Sequence, residues 1–108
     1  MTQEFHVVAA TSELADGQQM YVELNGEEIL LCQDKQDYYA IAYYCSHAAF
    51  ALEGGTIRNG CITCPYHGAE FDIRDGSVQA PPAFEPIKTF PVRVENDTIA
   101  VCSAANNP

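Results

Sequence analysis

The chain has 108 residues, with five Lys and Arg against fifteen Asp and Glu, and 47% of it is apolar. That is one domain's length, with a thin core that buries roughly two thirds of the unfolded surface. The apolar content excludes disorder, and no apolar run is long enough for a membrane-spanning helix. A formal net charge of −10 argues against nucleic acid and anionic membranes as partners, because both are bound through Lys and Arg.

The same acidity suits a basic surface on another protein, or simply keeps a small domain in solution. The opening MTQEFHVVAATSELADG has neither the basic start nor the apolar core of an export signal, so a cytoplasmic protein is expected. The cysteines are Cys32, Cys45, Cys61, Cys64 and Cys102. Their odd number and the absence of an export signal favour metal binding or burial over a disulfide framework.

The elements read as β throughout. A first strand is expected over 5–9, then a turn at Ala15-Asp16-Gly17. Residues 19–24 alternate, with Met20, Val22 and Leu24 on one face, and Asn25-Gly26 turns the chain into a strand over 28–33. Asn-Gly is a strong hairpin signal because both positions tolerate positive φ. A polar turn at 34–37 leads to an aromatic strand over 38–44. A helical turn near 46–52 stays open. A second Asn-Gly, Asn59-Gly60, joins strands over 56–58 and 61–63. A strand over 71–73 precedes the turn Asp75-Gly76, and Ala80-Pro81-Pro82-Ala83 reads as a stiff loop. Strands over 89–95 and 98–102 flank Asn96-Asp97 as a last hairpin, and 103–108 reads as a frayed tail. Strands with turns at this spacing suggest a small antiparallel sandwich or barrel.

Chemistry concentrates between residues 45 and 67, which read CSHAAFALEGGTIRNGCITCPYH. Cys45 and His47 form one pair at i and i+2, and Cys64 and His67 form another at i and i+3. A hairpin between the pairs can bring two loop tips together, each offering a thiolate and an imidazole. Four such ligands suit a tetrahedral zinc or a [2Fe–2S] cluster with two Cys on one iron and two His on the other. Zinc sites usually space cysteines as C-x2-4-C and histidines as H-x3-5-H, so C-x-H fits zinc poorly and the mixed pairs fit the cluster well.

The pattern C-x-H-x16-C-x2-H, followed by Gly68, resembles the Rieske iron–sulfur motif. Gly54-Gly55 before the middle hairpin, Phe71-Asp72 after the second pair, and Ala80-Pro81-Pro82 at the place of a proline loop extend the likeness from about Phe5 to Cys102. The chain is similar to the soluble Rieske-type ferredoxins of bacterial aromatic-ring-hydroxylating dioxygenase systems. This resemblance implies an all-β, Rieske-like antiparallel sandwich or barrel in one domain over 1–108. A cluster-binding subdomain of two ligand loops and a proline loop would occupy about 43–72. It also implies one [2Fe–2S] cluster held by Cys45, His47, Cys64 and His67. The function implied is one-electron carriage, without catalysis, from a flavin-dependent NAD(P)H ferredoxin reductase to a terminal oxygenase. A monomer is expected, since a shuttle needs a small, weak interface. The alternatives are a Rieske-like subunit of a monooxygenase or nitrite-reductase-type complex, and a structural zinc module.

In the Rieske proteins of quinol-oxidising complexes each ligand loop carries an extra cysteine, and the two form a disulfide. The matching positions here are Phe50 and Tyr66. Those relatives also carry Ser and Tyr hydroxyls after the second histidine, where this chain has Ala69 and Phe71. Fewer donors to the more negative reduced cluster imply a potential at the low end of the Rieske range, roughly −150 mV.

The remaining reactive side chains have plainer readings. Cys61 is expected to be a buried thiol rather than a fifth ligand, and Cys32 and Cys102 to be core. His6 reads as a surface or half-buried histidine. Tyr38, Tyr39, Tyr43 and Tyr44 read as strand packing rather than an electron relay. Glu53, Glu70, Asp72 and Asp75 either steer a basic partner or are merely solvated. Phe50 and Pro82 are candidate apolar contacts around the cluster.

Overall fold

The structure, a computed structural model, describes residues 4–46, 50–81 and 85–106. Among them eleven strands follow in order: β1 (His6–Ala10), β2 (Gln19–Leu24), β3 (Glu27–Asp34), β4 (Asp37–Ala42), β5 (Thr56–Arg58), β6 (Cys61–Thr63), β7 (Glu70–Asp72), β8 (Val78–Ala80), β9 (Thr89–Phe90), β10 (Val92–Glu95) and β11 (Thr98–Val101). A 3-10 turn covers Thr11–Glu13. The strands pair antiparallel in three sheets, ordered β1-β11-β10, β2-β3-β4-β9 and β5-β6-β7-β8. The expected all-β antiparallel architecture is therefore present.

The layering follows from β3. Its EILLCQ segment is apolar on both faces, the signature of a strand covered on both sides. Ile29 and Leu31 join Val22, Ala40, Phe90, Ile99 and Val101 in one core. Leu30 and Cys32 join Ile41, Leu52, Ile62, Phe71 and Ile73 in a second. The middle sheet thus packs against the β1-β11-β10 sheet on one face and the β5–β8 sheet on the other. Burial pushes the Cys32 thiol up to about 12, so it stays an inert packing group, and Cys102 is likewise buried.

Four two-residue hairpin loops have both central residues at positive φ: Asn25-Gly26, Lys35-Gln36, Asn59-Gly60 and Asn96-Asp97. Three carry the expected Asn first. Lys35-Gln36 does not, and holds φ of 53° and 72° against its side chains' preference. The turn is anchored from outside. The Lys35 N–H donates to Asp16 Oδ1 at 2.7 Å, and the Gly60 N–H donates to Asp34 Oδ2 at 3.1 Å. Gln36→Gly relieves one left-handed residue at the cost of some unfolded-chain entropy. It should stabilise the protein by roughly 0.5–1 kcal/mol and raise Tm by a few degrees, as read by calorimetry.

Outside the ligand loops, three elements differ from expectation. The strand expected over 89–95 is broken at Pro91, which has no N–H to give. β9 pairs with β4 and β10 with β11, so the chain changes sheets there. Val78–Ala80 forms an edge strand on β7 where a loop was expected to begin. The tail is tied down as far as Asn106. Its N–H donates to Thr89 O at 2.7 Å, its side-chain amide to Thr89 Oγ1 at 3.1 Å, and Ala105 packs on the core. Pro82 and residues 107–108 lie outside the described residues.

Candidate metal centre

Two loops leave the β5–β8 sheet and its neighbour side by side. The first follows β4. The expected strand to residue 44 stops at Ala42, and Tyr44 only bridges Ala51 while the Leu52 N–H donates to Tyr43 O at 2.8 Å. Residues 50–52 are thus an extended return rather than part of a helical turn. Within this narrow stem the Cys45 N–H donates to Phe50 O at 2.9 Å. The second loop joins β6 to β7. There the Cys64 N–H donates to Ala69 O at 2.7 Å, and the Gly68 N–H to Cys64 O at 3.0 Å. Gly55 lets the stems approach, since a Cβ there would stand 2.3 Å from Thr63 O.

Both cysteines point inward. Cys45 is 4% and Cys64 1% exposed, and both belong to the apolar cluster that contains Leu52, Ile62, Ala69 and Phe71. His67 lies at the surface, its ring 5.0 Å from that of Phe50 and inclined at 60°. His47 lies outside the described residues. Three of the four expected ligands are thus placed: two thiols from different loops in one water-poor layer, and an imidazole outside it. Among the described residues no three His, Cys, Asp or Glu converge on a single ion. A binuclear cluster divides its ligands two and two, so paired thiols are what such a centre needs from these loops, and the soft donor set fits it.

Cys61 lies on the other side of β6. Between it and Thr63 stands the fully buried Ile62, while Cys61 itself is half-buried in a cleft with Thr56, Arg58, Thr63 and Glu70. It is half-buried rather than buried as expected, and it lies on the face of β6 opposite Ile62. Burial, then the charges of Asp72 and Glu70, push its thiol up.

Asp72 was expected to be solvated or to steer a partner, and it does neither. It is 8% exposed and grips Arg74: Nε reaches Oδ1 at 2.9 Å, Nη2 reaches Oδ2 at 2.6 Å, and the Arg74 N–H reaches Oδ1 at 2.8 Å. These bonds hold its carboxyl below the usual carboxylate range. A depressed folded-state value adds stability above the ordinary Asp pKa of about 3.9 and loses it as pH falls through the folded value. Asp72→Asn should therefore cost about 1–2 kcal/mol at pH 7. In urea melts the gap should close as pH falls below the ordinary Asp value and on through the lowered folded one.

Of the four tyrosines expected to pack, Tyr39 and Tyr43 lie against one core and Tyr38 against the other, whereas Tyr44 is exposed. Tyr21, Tyr43 and Tyr44 meet edge to face at 4.8 and 5.0 Å. The Tyr43 hydroxyl donates to Glu53 Oε1 at 2.7 Å, a bond that pushes its pKa up to about 12. His6 is half-buried, 3.8 Å from Glu4.

The Rieske [2Fe-2S] domain model matches residues 4–91. The chain is similar to the ferredoxin component of biphenyl 2,3-dioxygenase from Rhodococcus jostii (strain RHA1), at 34% identity over 87% of this chain and 88% of the relative. Among solved structures it is similar to the ferredoxin of carbazole 1,9a-dioxygenase from Nocardioides aromaticivorans IC177. The TM-score is 0.86 at 31% identity, covering 90% of this chain and 95% of that one. It also matches a chain in the complex of reduced oxygenase and oxidized ferredoxin in carbazole 1,9a-dioxygenase. There the TM-score is 0.91 at 25% identity, covering 99% of this chain and 100% of that one.

Proposed function

The chain belongs to the Rieske [2Fe–2S] domain family, and from that premise we propose that it is the ferredoxin of an aromatic-ring-hydroxylating dioxygenase system. It would carry single electrons from a flavin-dependent NAD(P)H reductase to a terminal oxygenase. The observation that carries the reading is the pair of buried thiols, Cys45 and Cys64, brought from two loops into one apolar layer beside the exposed His67. Cys45 and Cys64 would hold one iron, and His47 and His67 the other. The cluster, when bound, supplies reversible one-electron chemistry. Segment 43–72 would form the cluster-binding part of a single domain over 1–108.

The chain's own residues then set access and encounter. The apolar layer keeps water from the thiols. His67 is exposed, so a partner can approach it directly. Glu53 and Glu85 are exposed on and beside the first loop, and neither 43–55 nor 64–69 contains a Lys or Arg. This distribution favours a basic partner at the ligand-loop end, in a brief encounter of a cytoplasmic monomer. Among the described residues no helix is long and apolar enough to cross a membrane.

Stopped-flow reduction of the reddish-brown holoprotein by NADH and a ferredoxin reductase tests the reading. The bimolecular rate should fall several-fold as ionic strength rises from ~0.01 to ~0.5 M. A colourless, zinc-containing protein unchanged by dithionite would overturn it.

A further inference from the structure

Each ligand loop is closed on itself by backbone hydrogen bonds, Cys45 to Phe50 in the first and Cys64 to Ala69 in the second. Those bonds do not join one loop to the other. Outside the buried layer, two aromatic contacts of Phe50 do so. Its ring stacks on Tyr66 with centroids 4.9 Å apart and planes 29° from parallel, and it meets the edge of His67 at 5.0 Å. One side chain of the first loop thus touches two successive side chains of the second. The carbonyl of the same residue holds the Cys45 N–H. Both rings are costly to display, Phe50 being 43% and Tyr66 61% exposed. Neither is needed to fill the core.

We propose that Phe50 is a positioning residue: a non-covalent clasp that holds the two ligand loops together and fixes the plane of the His67 ring. Stacked and edge-on ring pairs each favour the closed arrangement modestly, by a factor of roughly 2–10. Two such contacts fall on one residue, Phe50. A thiol-reducing environment does not weaken this clasp, since it contains no sulfur. The inference rests on the cluster reading above.

The test is iron transfer from oxidised holoprotein to excess chelator, followed by loss of visible absorbance, with nitrogen hyperfine couplings from pulsed EPR of the reduced protein. Phe50→Ala and Phe50→Leu should each lose iron about 10-fold faster than wild type and shift the couplings, while Phe50→Tyr keeps both near wild type. Tyr66→Ala should accelerate loss about 3-fold in wild type and add nothing in the Phe50→Leu background, because its partner ring is already gone. Phe50→Leu keeps apolar volume and settles the matter should Phe50→Ala fail to accumulate. Wild-type iron loss and unshifted couplings in Phe50→Leu would overturn the clasp. So would a Tyr66→Ala effect undiminished in that background. A wild-type protein with no Rieske signal would instead overturn the electron-carrier reading, and the clasp with it.

Discussion

Cys64→Ala will yield a colourless protein that no longer gives a reduced-state Rieske EPR signal and melts well below the wild type. Cys64 is 1% exposed, and its N–H and carbonyl both serve the loop, bonded to Ala69 and Gly68. Alanine keeps those backbone bonds and removes only the sulfur, so the loss reports ligation rather than loop geometry. Because a ligand set exists only in the folded chain, metal-binding energy is folding energy. Several kcal/mol should disappear together with the colour, on the order of the whole 5–15 kcal/mol by which a small domain is stable. Cys45→Ala and His67→Ala should do the same. Cys61→Ser is the counterpart, since Cys61 faces the cleft with Arg58 and Glu70. It should leave the iron spectrum intact and the stability within about 0.5 kcal/mol. A lost cluster in Cys61→Ser would show the ligand assignment to be wrong.

The wild-type midpoint should lie near −150 mV, the low end of the Rieske range, in an EPR-monitored titration. Ala69 and Phe71 are fully buried in the cluster of side chains that contains Cys45 and Cys64. Neither carries a hydroxyl to stabilise added negative charge. Restoring one should raise the potential. Ala69→Ser should shift it up by about 60 mV, the one-electron equivalent of ~1.4 kcal/mol, and Phe71→Tyr should act in the same direction. Phe71→Tyr should also cost about 1–3 kcal/mol in the apoprotein, where the buried hydroxyl lacks the acceptor that the cluster would supply. A wild-type midpoint near +300 mV would contradict the significance given to Ala69 and Phe71.

The sequence is legible where one physical cause dominates. Asn-Gly names its hairpins because few other pairs accept two positive φ angles, and both Asn-Gly loops lie as expected. Lys35-Gln36 has no such local signal. Its geometry is imposed by bonds to Asp16 and from Gly60, partners 19 and 26 residues away from Lys35 and Asp34. The sheet change at Pro91 and the docking of Asn106 on Thr89 are likewise tertiary facts. The ligand spacing pointed to four residues, of which the structure places Cys45, Cys64 and His67. Strict alternation along β6 could have assigned Cys61 to the face opposite Ile62 from sequence alone. The bidentate grip of Arg74 on Asp72 was also within reach, from their i, i+2 spacing around the turn after β7.

That β3 is sealed on both faces has a kinetic consequence. Its Leu30 and Leu31 sit in different cores, both at 0% exposure, and its backbone is bonded to β2 on one side and β4 on the other. No local fluctuation frees such a strand without disrupting both cores at once. Its amide protons should exchange with deuterated solvent only through whole-molecule opening, and so report the global stability. Amides of the ligand loops, including those of Cys45 and Cys64, can open locally. Removing the cluster should therefore strip protection from the loops by a larger factor than it does from β3. Deuterium uptake would then separate the bound state of the centre from the integrity of the scaffold in one experiment.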